Sequence, residues 1–307
     1  MRIIFHIGTY KTGSSSFQNF IFKNKHILHK HSFLYPSAGM ARDNKLGYRH
    51  TPIIYNFLQG KDDPCPAALL EELRGSDAEV AILSSEAWSN PQNLSHLIRL
   101  TARLQECGFQ DLSAILVLRN LGAYQISHYR EFTAHRKNRQ SFPLYIRSRP
   151  NHFDYLLLIN VFRSIFGSQL NVLSFERNTN IVQSISEAIG IGEFYERMEP
   201  TERSNVKSIG ALEIEAIRCA NFLDKPSNNG ISILTELLAE RPELKNEHWT
   251  EAFEGYVPKF PSVYKDNLLD VLNWNECEVE KLFQIETVEG RNVQDITAII
   301  MEQLQIK

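Results

Sequence analysis

The chain has 307 residues, 43% apolar and 22% charged, with a formal net charge of −3. That composition suits a globular fold with a sizeable core. It provides no overall field for nucleic acid, so none is expected as a partner, and any site for a polyanion must be a local patch. Cys65, Cys107, Cys219 and Cys277 lie far apart and form no CxxC pair, which argues against a zinc site or a disulfide framework and for a reducing compartment.

Residues Ile3–Ile7 read as a buried strand. Five residues are too few for the apolar core of a secretion signal, and no apolar run approaches the roughly 20 residues that span a bilayer. No transmembrane segment is therefore expected, and the expected location is cytoplasmic. Ser14 to about Asn24 predicts a helix with Phe17, Phe20 and Ile21 on one face. Ser32–Tyr35 is a short strand candidate that stops at Pro36, and Glu79–Ser84 is a continuous apolar strand. Pro91 to about Leu104 predicts a helix with proline in its first turn. Ala114–Leu118 is another buried strand, followed by a helix from about Gly122 to Phe132. Phe153 to Phe166 predicts an amphipathic helix that ends before Gly167, and Leu170–Phe175 a further strand.

After about Ile181 the pattern is mainly helical, with candidates at 181–189, 210–222, 231–239, 264–273 and 292–304. A turn at Ser227–Gly230 and a loop at Pro258–Pro261 do not require a second domain. Continuous apolar strands separated by helices imply a parallel sheet covered on both faces. The expected fold class is α/β: a P-loop-like parallel sheet flanked by helices, with a mainly helical C-terminal part from about residue 200. One domain is expected over residues 1–307.

In such a sheet the ligand sits beyond the C-terminal ends of the strands. The first strand ends in His6-Ile-Gly-Thr-Tyr-Lys-Thr-Gly-Ser-Ser-Ser-Phe-Gln18. A helix N-terminus attracts anions through its unpaired N–H groups and its dipole. Gly13 allows close approach, Ser14 and Ser15 add hydroxyls, and Lys11 adds charge. The plain alternative is a serine-capped turn with a solvated lysine. The loop is not a Walker A motif, in which lysine follows the second glycine; here that position is Ser14. A phosphotransferase would also want a carboxylate for magnesium at a nearby strand end, yet the next strands lead into Ser85-Glu86 and Arg119. Arg119 ends the 114–118 strand and Ser127 follows eight residues later in a helix. Both could grip one phosphate, because the guanidinium fork matches phosphate oxygens; a surface arginine and a locally bonded serine are the alternative.

Taken together, these residues resemble the sulfotransferases that use 3′-phosphoadenosine 5′-phosphosulfate (PAPS), in particular bacterial carbohydrate sulfotransferase-like proteins with an HIGxxKTG[TS][TS]xxQ start. The resemblance is good over about residues 1–135 and loose over 170–220. It implies that Lys11, Thr12, Gly13, Ser14 and Ser15 bind the 5′-phosphosulfate and that Arg119 and Ser127 bind the 3′-phosphate. PAPS is then the co-substrate, and no metal is required, since the transferring sulfuryl group carries less charge than a phosphoryl group and Lys11 with backbone amides can stabilise the leaving phosphate. Glu86 is a candidate general base, as several glycan sulfotransferases use a glutamate after a comparable strand. His50 is its rival, as cytosolic members use histidine. Asn205, Lys207 or Ser208 would close over the nucleotide or cap a helix.

Residues 128–149 carry His128, Arg130, His135, Arg136, Lys137, Arg139, Arg147 and Arg149 against Glu131 alone. This is either a solvated face or a rim for PAPS or an anionic glycan. The expected acceptor is a hydroxyl or amine of a glycan or glycolipid, neutral or anionic. The rival readings are a P-loop small-molecule kinase and a non-catalytic nucleotide- or glycan-binding protein on the same fold.

Overall fold

A computed structural model describes residues 1–40, 48–60, 63–177, 180–200, 209–245, 249–250, 262–272, 274–284, 291–292 and 296–306. Asn205, Lys207, Ser208 and the Pro258–Pro261 loop lie outside the described residues. Along the chain the elements are β1 (Arg2–Gly8), α1 (Ser14–Lys23), α2 (Lys25–Lys30), β2 (Phe33–Leu34), α3 (Thr51–Leu58), α4 (Ala67–Gly75), β3 (Val80–Ser84), α5 (Leu94–Glu106), β4 (Leu112–Leu118), α6 (Leu121–His135) and α7 (Phe142–Arg147). They continue with α8 (Tyr155–Phe166), β5 (Leu170–Ser174), α9 (Ile181–Ile189), α10 (Ala211–Phe222), α11 (Ser227–Glu240), β6 (Trp249–Thr250), α12 (Ser262–Leu272), α13 (Glu276–Phe283), β7 (Arg291–Asn292) and α14 (Thr297–Ile306). Residue contacts divide the chain into two compact units. The first comprises Met1–Arg119, Asp154–Ser204 and Asn267–Trp274; the second comprises Asn120–Phe153, Asn205–Asp266 and Asn275–Lys307.

The first unit is built on a five-stranded sheet in the order β2-β3-β1-β4-β5, with every pairing parallel. This is the α/β fold that the apolar runs predict. Side chains alternate between the two faces of a strand. Ile4 and His6 therefore share a face with their β3 neighbours Ile82 and Ser84. On that face Ile4, Ile82, Ile115 and Val117 form a core with Phe17 and Ile21 of α1 and Ile185 and Ile189 of α9. On the other face Phe5 meets Trp88 and Phe166, each at a ring separation of 5.4 Å. Full burial of each such side chain stabilises the fold by about 1.5–3 kcal/mol.

β1 and β4 are neighbours, and the chain leaves β1 toward β2 at one edge of the sheet and β4 toward β5 at the other. That makes the C-terminal ends of β1 and β4 the topological switch point, the place where sheets of this kind take their ligands. The loop after β1, the start of the Glu86–Ser89 turn after β3, and Arg119 after β4 all meet this edge.

Within the second unit, α10 and α11 pack with α14 around Ala216, Cys219, Ile233, Leu237, Ile300 and Leu304. β6 and β7 pair in parallel. Among the described residues, no helix is long and apolar enough to cross a membrane.

Candidate functional site

The loop from Gly8 to Ser14 turns on two residues in the left-handed region: Lys11 at φ 64° and Gly13 at φ 80°. For Gly13 this is easy, and a side chain there would strike Ile181 Cγ2 at 2.7 Å. For Lys11 it is a strained conformation of the kind that clusters at ligand sites. Left-handed and right-handed residues in succession point neighbouring N–H groups into one concavity, an anion nest. The nest runs directly into α1. Its first intrahelical bond is from Phe17 N–H to the Gly13 carbonyl, at 3.0 Å. The amides of Ser14, Ser15 and Ser16 precede that bond, Gly13 provides no side-chain cap, and the first turn holds no acidic residue. Positive potential is thus left at the strand end.

The hydroxyls of the motif divide between two tasks. Thr12 Oγ1 is buried and donates to the Thr9 carbonyl at 2.6 Å. Its hydrogen is therefore committed, and Ser14 Oγ, 3.4 Å away, can only donate to it. Both hydroxyls lie over Gly8, where a Cβ would collide with them. Thr9 is pinned to β4: its amide and its hydroxyl both donate to the Val117 carbonyl, at 3.0 and 3.2 Å. Thr12 and Ser14 thus hold the loop's shape, whereas Ser15 and Lys11 are exposed.

Arg119 joins this loop. Its Nη1 donates to the Lys11 carbonyl at 3.1 Å, and Cζ stands 5.4 Å from the Phe175 ring centre. Its own carbonyl accepts from Tyr155 Oη at 2.7 Å. Burial lowers the arginine's proton affinity, and Glu176 and Tyr155 only partly offset this. Arg119 and the loop, read from sequence as two anion-binding elements, are brought together within the first unit. Ser127 lies half-buried in α6, in the second unit.

Glu86 follows β3 and is buried, 7% exposed. Its Oε2 accepts from Gln18 Nε2 at 3.1 Å, and Arg49 donates to Oε1. Gln18 Nε2 also donates to Ser84 Oγ at 3.1 Å, and Ser84 Oγ lies 2.8 Å from His6 Nδ1. Both amide hydrogens of Gln18 are used, so its orientation is fixed. Ser84 accepts from Gln18 and is left with one hydrogen, which His6 Nδ1 can take in its neutral form. Burial pushes the His6 imidazole down to about 3, so the ring is neutral at neutral pH.

His50 stands differently from the sequence expectation. Its Nε2 donates to the Pro36 carbonyl at 3.0 Å, and its Nδ1 accepts from the Ser84 amide at 3.1 Å. The ring is fully buried, and burial takes it down to about 4 despite its bonds to backbone. Protonation at Nδ1 would break the bond to Ser84, so His50 ties its segment to β3 and has no nitrogen to offer an acceptor. Glu86, by contrast, is bonded at both oxygens through side chains, with Gln18 on the buried side and Arg49 on the more exposed one.

Sequence reasoning assigned no role to Gln18, the last residue of the HIGxxKTG[TS][TS]xxQ pattern, or to Arg49, Ser84 and Phe175. One signal was present: Gln18 follows Ser14 by four residues, which places it on the same helix face as the loop hydroxyl.

No family model matches the chain, and no curated protein matches it. Among solved structures it is similar to the crystal structure of a sulfotransferase from Alicyclobacillus acidocaldarius, with 16% identity and a TM-score of 0.35, over 78% of this chain and 96% of that one.

Proposed function

We propose that this protein is a sulfotransferase that moves a sulfuryl group from PAPS to a hydroxyl or amine of a glycan or glycolipid. One observation carries the reading. Lys11 and Gly13 both adopt left-handed backbone in a loop at the switch point, and the lysine precedes the glycine. A Walker lysine follows the glycine and reaches the β- and γ-phosphates. A lysine on the loop itself faces a phosphate held at the nest, the position of a leaving group.

In the proposed reaction the acceptor oxygen attacks sulfur in line with the 5′-phosphate. The new S–O bond forms as the bond from sulfur to the phosphate oxygen breaks, and the electron pair leaves with the phosphate. Lys11 and the amides from Gly13 to Ser15 stabilise the charge that develops there. Glu86 takes the acceptor's proton. Arg119 is assigned the 3′-phosphate; for Ser127 the same assignment rests on its eight-residue spacing from Arg119. Thr12 and Ser14 act by shaping the nest.

The test is incubation with sulfur-labelled PAPS and fractionated glycans. Label should appear in a glycan fraction and fall sharply in Glu86→Gln. Tight nucleotide binding with no transfer to any fraction would instead make the protein a binding module. Transfer of label from γ-labelled ATP would make it a kinase.

A further inference from the structure

A carboxylate taken out of water needs a partner wherever water cannot reach. Glu86 has two such sides, and they differ in freedom. On the inner side Gln18, Ser84 and His6 are all fully buried and linked in sequence by the bonds given above. Turning the Gln18 amide would set its oxygen against the carboxylate, so this side is rigid. On the outer side stands Arg49, whose side chain is 24% exposed against 9% for that of Glu86. The backbone next to Arg49 is held by His50, through Pro36 and Ser84. The part free to move is therefore the Arg49 side chain itself.

An acceptor comes from solvent and meets Glu86 on the Arg49 side. To hand over its proton it needs a lone pair that the guanidinium now occupies or covers. An arginine drawn off a buried carboxylate requires another anion, and a neutral acceptor offers none. The guanidinium fork fits a carboxylate and a sulfate ester equally well.

We propose that Arg49 is the residue that selects the acceptor: it shifts from Glu86 to an anionic group on the glycan, a carboxylate or a sulfate ester, and so frees the base only for an acidic acceptor. The acceptor's proton then passes to Glu86 as its oxygen bonds to sulfur. This inference rests on the sulfotransferase reading above.

The experiment is calorimetry on the full chain saturated with 3′-phosphoadenosine 5′-phosphate. The titrant is a mixed digest of sulfated, uronate-containing glycans. It is compared with the same digest after carboxyl reduction, after desulfation, and after both. The arm that loses affinity names the group that is read. The wild type should bind the intact digest about 10- to 100-fold more tightly than the doubly stripped one, the range of a hydrogen bond to a charged group.

Arg49→Ala strands Glu86 and can unfold the protein, so the deciding variant is Arg49→Ala/Glu86→Gln. It leaves no buried charge unpaired and keeps the net charge unchanged, so general attraction between charges is preserved. It should bind the intact and stripped digests alike. Equal binding by the wild type, discrimination that survives in the double variant, or no binding of any digest overturns the inference. Nucleotide titration without glycan separates the two levels: if it fails, the sulfotransferase reading falls, and if it succeeds while the digests are not distinguished, only the role of Arg49 falls.

Discussion

Glu215 and Arg218 stand three residues apart on α10, and their pairing is closed. Arg218 donates through Nε and Nη2 to the two carboxylate oxygens, at 2.8 and 2.5 Å, and through Nη1 to the Arg139 carbonyl at 3.2 Å. Thr297 donates to the same carboxylate, and the two side chains are 10% and 3% exposed. Glu86 and Arg49 are 37 residues apart, held by different elements, and open on the arginine side. A fork-to-fork pair on one helix is fixed by local geometry and has no room for a substrate. A pair assembled by tertiary structure at a sheet's C-terminal edge, with one member partly exposed, keeps a side that solvent can reach.

The comparison breaks most visibly at turnover. Glu86→Gln should lower sulfuryl transfer by about 10²–10⁴-fold, the usual contribution of a positioned base, and leave nucleotide binding intact. Equal turnover in the variant, measured with labelled PAPS, would assign Glu86 a structural role like that of Glu215. At the closed pair the effect should be on folding. Arg218→Ala should destabilise the protein by about 3–5 kcal/mol in chemical denaturation, because it strands a buried charge. An apolar replacement of both partners should recover most of that loss.

Acid should act through the buried imidazoles of the first unit. His6, His50 and His96 have folded-state values of about 3, about 4 and about 4, against 6.5 when unfolded. Between those limits the unfolded chain binds protons that the folded chain does not, so stability is complete above about pH 6.5 and is lost as pH falls below it. At pH 5 the loss should be about 2 kcal/mol for each ring, read as a falling melting temperature. A flat profile from pH 7 to 5 would show that the rings are open to water.

Smaller effects belong to the loop. Gly13→Ala should cost about 1–2 kcal/mol from its left-handed backbone, and more from the contact with Ile181. Lys11→Gly should stabilise the fold by about 0.5–1 kcal/mol, strain relieved less the added chain entropy, while weakening nucleotide binding. Opposite signs for stability and binding at one residue are what a strained functional position should give.

Much of the first unit's frame was legible in the sequence. Continuous apolar runs mark β1, β3, β4 and β5, and Gly167 marks the end of α8 at φ 55°. Helices α2, α3, α4, α7 and α13 were not read. α2 and α7 have six residues each, too few for a period to show. α3 and α13 have eight, and α13 is set by a capping box between Asn275 and Glu278 more than by its apolar pattern.

At the site, the loop and Arg119 were legible because strand ends are marked by their neighbours. The network around Glu86 was not. It depends on the register that sets His6 beside Ser84 and on a long-range approach by Arg49, and neither leaves a spacing in the chain. His50 was overvalued for the same reason: its partners, Pro36 and Ser84, are backbone groups brought to it by the fold.

The central claim is that the loop at the end of β1 is the cradle for a sulfuryl donor's phosphate. It is tested most directly by calorimetry with 3′-phosphoadenosine 5′-phosphate, without added metal, on the wild type, Lys11→Ala and Arg119→Ala. The expected result is binding by the wild type that falls at least about tenfold in each variant, a loss of about 1.4 kcal/mol or more. Absence of binding, with ATP bound in its place, would contradict the account.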